Sequence, residues 1–296
     1  MATSPETDSL GTHTPARPRA VVLAAGDRPH VLEQAQSLRP LLERHLDVAL
    51  WDMRFEADLA EVEADWAVVL GGDGSILRAA RQMGYRQLPV IGVNLGKLGF
   101  LADILPEEFP EALPKIVAGG YRVVEHLMFE CRLERDGREV WCELGLNEVS
   151  VHAGPPFAML EVELFVDSEF ATTYSGDGLI LSTAVGSTAH SLAAGGPILR
   201  KDLDAFVISP ISPHTLTNRP VVDSASRRYE LRVPRPNAGT TAVIDGRRHE
   251  RLSPGDRLSV VRAAPRFRLV EVAGQSYYRT LRRKLGWGGS LANRNA

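Results

Sequence analysis

The chain has 296 residues, 44% of them hydrophobic and 24% charged, enough to build one or two ordinary cores, and two domains are expected. A formal net charge of −3 without blocks of like charge gives no reason to expect nucleic acid or a membrane as partner, which leaves small-molecule chemistry. Apolar runs such as residues 20–25 and 66–70 fall far short of the ~20 residues of a membrane-spanning helix, and no charged-then-apolar leader pattern opens the sequence, so the expected compartment is the cytoplasm.

Residues 1–18 are polar and aperiodic and read as a mobile tail. Order is expected from residue 19: a buried strand over 20–25, a helix over 29–45 interrupted or kinked at Pro40, and short strands over 48–51 and 66–70. A helix over 75–83, a strand over 89–93 and a helical pattern over 106–117 follow. Strands alternating with helices predict an α/β N-terminal domain over 19–120 with a parallel sheet covered on both faces. From residue 121 the period changes to two, over 123–133, 139–152, 160–166, 229–233 and 257–261. A mostly β, sandwich-like C-terminal domain over 121–272 is therefore expected. The segment 273–296 holds a basic amphipathic stretch over 277–285, which either caps the β domain or returns to the first, before a frayed Gly-Trp-Gly-Gly ending.

Cys131 and Cys142 flank an Asp136-Gly137 hairpin signal. Counting outward from that turn places them opposite each other as a hydrogen-bonded pair, with Cα atoms ~5.5 Å apart. Buried thiols are expected in preference to a disulfide or a zinc site, which would need more ligands.

The chemistry begins where the apolar run 66–70 stops at Gly71-Gly72-Asp73-Gly74-Ser75. Glycines let backbone approach a ligand, and the N–H groups opening the next helix favour phosphate oxygens. Asp73 is the odd charge in such a loop: it either caps the helix, holds a metal, or accepts the proton of a hydroxyl about to attack phosphate. Gly92-Val93-Asn94-Leu95-Gly96-Lys97-Leu98 is one residue short of a P-loop and lacks its Ser or Thr, and no Gly-x-Gly-x-x-Gly follows the first strand. Any nucleotide site is of another kind.

Four further clusters narrow the choice: residues 92–103, Leu146-Asn147-Glu148-Val149, the run 176–197 containing Asp177 and Thr188-Ala189-His190-Ser191, and residues 209–220. In this order they resemble the NAD kinases across roughly residues 68–245. The glycine loop alone is also similar to diacylglycerol-type lipid kinases and phosphofructokinases, and the 177–197 run favours NAD kinase. The resemblance implies transfer of a phosphate from ATP, or polyphosphate, to the 2′-hydroxyl of the adenosine ribose of NAD, with Mg²⁺ or another divalent metal accompanying ATP. It makes Asp73 the catalytic group, with Gly71, Gly72, Gly74 and Ser75 shaping the phosphate loop. Asp73, Gly74, Arg78, Asn147, Glu148, Asp177, Thr188, Ala189, His190, Ser191 and Asp245 are the implied NAD contacts. Arg78 has a solvated helix face as its alternative, and Asp177 and Asp245 have turn formation as theirs. His190, Val185 and Ser175 depart from the Tyr, Thr or Ser, and Arg common in the family, which motivates a second reading as a dinucleotide sensor without turnover. Metal ligands are not assigned by the sequence. A homodimer or homotetramer assembled through the β domain is the implied assembly.

Overall fold

A computed structural model describes residues 17–96, 99–215, 218–272 and 277–286. The expected tail up to residue 16, the ending from 287, and positions 97, 98, 216 and 217 of two motif clusters lie outside the described residues.

The first half alternates as expected: β1 (Arg19–Ala24), α1 (Pro29–His45), β2 (Asp47–Asp52), β3 (Trp66–Leu70), α2 (Asp73–Met83), β4 (Val90–Val93) and α3 (Phe109–Val117). Its strands pair in parallel in the order β2-β1-β3-β4. β3 and β4 are buried along their whole length because both sheet faces are covered, by a cluster including Val31, Leu38, Phe109 and Ile116 on one side and one including Ile76, Ala79 and Met83 on the other. Of the interruption or kink expected at Pro40, there is no interruption: α1 continues through it. α3 starts at Phe109, later than expected, with a proline in its first turn where no N–H is needed.

The second half comprises β5 (Tyr121–Arg135), β6 (Arg138–Gly145), β7 (Glu148–His152), β8 (Leu160–Val166), β9 (Glu169–Gly176), β10 (Gly178–Thr183), a 3₁₀ turn (Gly186–Thr188), α4 (His190–Ala193), β11 (Ala205–Ile211), β12 (Val221–Ser224), β13 (Tyr229–Arg232), β14 (Thr241–Ile244), β15 (Arg248–Arg251), β16 (Arg257–Val272) and α5 (Tyr277–Leu285). A six-stranded sheet, β12-β11-β10-β7-β14-β15, faces β5, β8, β13 and the start of β16 across one apolar core. Sixteen-residue β16 is far longer than the strand expected at 257–261. Its first part pairs with β13 and β5, and its last part meets β4 in parallel at Leu269 and Val90, so one ten-stranded sheet runs through both halves.

The cysteines do not face each other. Cys131 is opposite Glu143 and Cys142 opposite Arg132, because the β5–β6 register slips by one between Leu133 and Glu134. A one-residue slip moves side chains to opposite faces. Cys131 is therefore in the core, where burial pushes its thiol up, while Cys142 is half-buried beside Arg132. Both are free thiols.

Candidate active site

β3 delivers the chain to the glycine loop at the C-terminal edge of the parallel sheet, where ligands bind in open α/β sheets. The Gly71 N–H donates to the Val93 carbonyl at 2.9 Å, and the Ser75 N–H to the Gly72 carbonyl at 2.8 Å. Ser75 is buried under this turn, and a Cβ on Gly71 would lie 2.2 Å from its Oγ, so the loop closes only on glycine. Nothing lies within 4 Å of where a Cβ would stand on Gly72 or Gly74, which leaves the outer side of the loop open.

Asp73 is the first residue of α2, and its side chain does not cap that helix. It reaches across to the loop after β4: Oδ2 accepts the Phe100 N–H at 2.7 Å, and Oδ1 accepts those of Leu101 and Ala102 at 2.8 and 3.1 Å. Each carboxylate oxygen has two lone pairs. Both sites on Oδ1 are used, and Oδ2 keeps one. Beside that oxygen, at 3.6 Å, is Nζ of Lys284 on α5, which also lies 4.0 Å from the centre of the Phe100 ring. The C-terminal helix thus returns to the first half, where Arg279 also stands 3.7 Å from Glu108.

The same device recurs in the second half. The Asp245 carboxylate accepts the N–H groups of Leu146 and Asn147 at 2.8 Å and of Glu148 at 3.1 Å. This capture ends β6 and starts β7, breaking what the period-two pattern presents as one segment over 139–152. Asp245 has a φ of 47°, which Asp tolerates, and the turn reading of Asp-Gly is therefore also true of it. Burial raises the Asp245 carboxyl above its ordinary range against the pull of those three N–H groups and the charge of Arg81.

Glu148, on the far side of the captured turn, is buried, and its Oε2 has no hydrogen-bond partner among the described residues. Burial, then the charge of Asp245, push its carboxyl up to about 8. Alternation along β7 puts Glu148, Ser150 and His152 on one face, while Val149 and Val151 enter the core. Over that face α4 lays His190, whose ring stacks on His152 with centroids 5.3 Å apart and planes 6° from parallel. Ser150 Oγ is 2.7 Å from the other edge of that platform, His152 Nε2. Burial lowers the His190 pKa, favouring a neutral ring.

The remaining expected contacts divide. Asn147 is half-buried and its carbonyl accepts the Thr183 N–H at 2.8 Å. The Thr188 hydroxyl donates to the Val185 carbonyl at 3.2 Å, Ala189 forms the joint before α4, and the Ser191 hydroxyl faces inward to Ser209 Oγ at 2.9 Å. Asp177 is exposed in the β9–β10 turn, where its backbone pairs with Ile211 and Ala153. Arg78 turns from Asp73: it donates to the Arg54 carbonyl at 2.7 Å and lies over the Phe55 ring at 4.4 Å. There it lines a solvent-open cleft with Gly26, Asp27, Met53 and Arg54. The Arg247 pKa is lowered by partial burial, then by the charges of Arg78, Arg81 and Arg28, which puts these guanidinium groups within electrostatic reach of one another. Such a group holds phosphate well.

Two comparisons with known proteins decide the family. The ATP-NAD kinase N-terminal domain matches residues 19–121 and the ATP-NAD kinase C-terminal domain matches residues 146–272. The chain belongs to the ATP-NAD kinase family. An NAD kinase from Rhodopirellula baltica is 52% identical over 277 residues, covering 94% of this chain and 89% of its own. One from Geotalea daltonii is 40% identical, covering 86% and 90%. Among solved structures, an Archaeoglobus fulgidus NAD kinase in complex with ATP superposes with a TM-score of 0.73 at 28% identity, covering 92% of this chain and all of the other. Yeast NADH kinase complexed with NADH gives 0.81 at 22% identity over 95% and 91%, and shows the fold alone. The fold and family expected from the motif order are both met.

In this member of the ATP-NAD kinase family several groups around Asp73 carry no motif signal. Lys201 is half-buried and donates to the Phe100 carbonyl. Burial lowers its pKa, opposed by the charges of Asp103, Glu271 and Asp73. Asp103 is pushed up to about 6 by burial against the pull of Lys201. Phe100 is consequently held three ways, by its N–H on Asp73, its carbonyl on Lys201 and its ring under Lys284.

Proposed function

We propose that this chain transfers the terminal phosphoryl group of ATP to the 2′-hydroxyl of the adenosine ribose of NAD, with Asp73 as general base, releasing NADP and ADP. The family whose models match both halves, and the relatives at 52% and 40% identity, are NAD kinases, so the chain is a phosphotransferase, and the sensor and lipid-kinase readings are not favoured. The observation that carries the catalytic assignment is the carboxylate of Asp73: three backbone N–H groups fix its orientation and leave one acceptor site, on Oδ2, for the hydroxyl proton. A base held in this way adds typically ~10²–10⁴ to the rate.

NAD recognition is proposed for the second half. The Oε2 of Glu148, without a partner among the described residues, would meet a ribose hydroxyl, the half-buried Asn147 an adenine edge, and the His152–His190 stack the adenine face. Asp177 is proposed as a further dinucleotide contact, supported by its exposed carboxylate. Thr188, Ala189 and Ser191 are proposed to act mainly by shaping the wall that carries His190. Asp245 is proposed to hold Asn147 and Glu148 in place, and Arg78 with Arg81 and Arg247 to receive phosphates.

Among the described residues no group of three or more His, Cys, Asp or Glu side chains is placed to hold a metal. Magnesium is proposed to arrive on ATP, held mainly by the phosphates it accompanies. A homodimer or homotetramer through the β domain is supported by the apolar exposure of Val221 and Val222 on edge strand β12. A cytoplasmic location fits the two free thiols. No described helix is long and apolar enough to cross a membrane.

The test mixes purified protein with NAD, ATP and Mg²⁺ and couples NADP to an NADP-specific dehydrogenase. Signal that Asp73→Asn lowers by about 10²-fold or more supports the assignment. Tight NAD binding without product would defeat it.

A further inference from the structure

We propose that Lys284, on the C-terminal helix, is a second catalytic residue, whose ammonium moves from the Asp73 carboxylate to the transferring phosphoryl group as Asp73 takes its proton. This rests on the proposed NAD kinase reaction. The ammonium is 3.6 Å from the Oδ2 that keeps a free acceptor site, and its side chain is 30% exposed, so it stands where both the ribose hydroxyl and the phosphoryl group must arrive.

A carboxylate repels the phosphate it serves, so a cation is needed beside it. Lys201 is engaged elsewhere: half-buried, it donates to the Phe100 carbonyl and has the charges of Asp103 and Glu271 around it. Arg78 is engaged with Arg54 and Phe55. The Phe100 ring under Lys284, 4.0 Å away, keeps the ammonium near the site without consuming its hydrogen-bond donors.

The charges balance through the step. The ribose O2′ forms a bond to the terminal phosphorus, the bond from that phosphorus to the ADP oxygen breaks, and ADP leaves with the electron pair. The hydroxyl proton passes to Asp73 Oδ2, whose negative charge is thereby cancelled. Lys284, neutralised until then by Asp73, is freed at that moment to neutralise phosphoryl oxygens, which is charge stabilisation realised only as the reaction proceeds.

Steady-state kinetics on the full chain test this with two variants. Lys284→Met keeps the aliphatic stem on Phe100 and removes the charge, and Lys284→Arg keeps the charge. The expected result is a kcat about 10- to 100-fold lower for K284M with the NAD KM within about twofold of wild type, and recovery of most of the loss in K284R. Wild-type kcat in K284M, or equal losses in both variants, overturns the proposal. If wild type makes no NADP, the NAD kinase reading has failed and Lys284 is judged separately, as it also is if K284M does not fold. Acetylation of the wild-type Lys284 amine by acetic anhydride, followed by mass spectrometry, then slows on adding MgATP if the ammonium holds phosphate. An unchanged rate overturns it.

Discussion

A Cβ on Gly99 would stand 2.1 Å from Oδ1 of Asp73, closer than any two such atoms can come. The carboxylate lies directly against the backbone after Gly99 because it collects the next three N–H groups. Gly99→Ala must therefore displace either the base or the loop that aims it. Since a displacement of about 1 Å in a reacting group costs on the order of 10²-fold in rate, kcat for NADP formation is expected to fall by about that factor. NAD affinity, which the proposed contacts place mainly in the second half, should hold within about threefold in a calorimetric titration. Unchanged kcat would show that Asp73 does not need this geometry.

Asp245→Asn separates the two roles of that residue. Asn accepts a φ of 47° as readily as Asp, so the backbone is not disturbed. What changes is the acceptor count: an amide NH₂ replaces one oxygen that now receives N–H groups from Leu146, Asn147 and Glu148. Losing charge-assisted bonds and leaving a buried N–H unpaired costs about 2–4 kcal/mol. Urea unfolding should show a loss of that order, accompanied by a higher NAD KM as Asn147 and Glu148 lose their register. A stable variant with an unchanged KM would reduce Asp245 to an ordinary turn residue.

Much of this was legible in the sequence, for reasons visible in particular residues. The strand, loop and helix around Asp73 are local: a buried apolar run, then glycines, then a 3.6-residue pattern. What Asp73 and Asp245 touch is not local. Both reach backbone N–H groups 27 to 29 and 97 to 99 positions away, and N–H groups have no sequence signature. The cysteine placement failed for a related reason, because a one-residue slip after Leu133 is invisible to counting from the turn. His152 was missed although it lies two and four residues from Ser150 and Glu148 on the same strand face, and strand alternation from Glu148 would have found it. Lys284 and Lys201 gave no signal, since each meets Phe100 only through tertiary packing.

Glu148 sets a pH dependence of its own. With its carboxyl pushed up to about 8, the folded apoprotein keeps a proton that the unfolded chain releases near pH 4.5. The stabilising contribution is full below about pH 4.5 and is lost as pH rises towards 8, at up to about 1.4 kcal/mol per pH unit. Glu148→Gln mimics the protonated form and should remove this part of the slope. Comparison of urea unfolding free energies for the two proteins at pH 5.5, 6.5 and 7.5 reads it directly, with the variant gaining on wild type as pH rises. Parallel curves would mean that Glu148 is ionised across the range.

His126 works with the opposite sign. It is buried against Phe267, with ring centroids 6.3 Å apart, and its Nδ1 lies 3.1 Å from the Lys201 carbonyl while Nε2 has no partner among the described residues. Burial pushes its pKa down to about 4, so the folded protein refuses a proton that the unfolded chain accepts below about pH 6.5. The stability it contributes is complete above that value and drains away as pH falls towards 4, again at up to about 1.4 kcal/mol per unit. His126→Phe keeps the ring against Phe267, removes the proton site and gives up the bond to Lys201. The variant is expected to begin somewhat less stable at pH 7, to lose stability more slowly on acidification, and to overtake wild type before pH 4. Because the lost bond is to the backbone of the lysine that grips Phe100, kcat at pH 7 should also fall modestly, by about two- to fivefold, if Lys201 helps to hold the loop that orients Asp73. Acid unfolding curves that stay parallel would place the protonation elsewhere, and an unchanged kcat would separate His126 from the active-site loop.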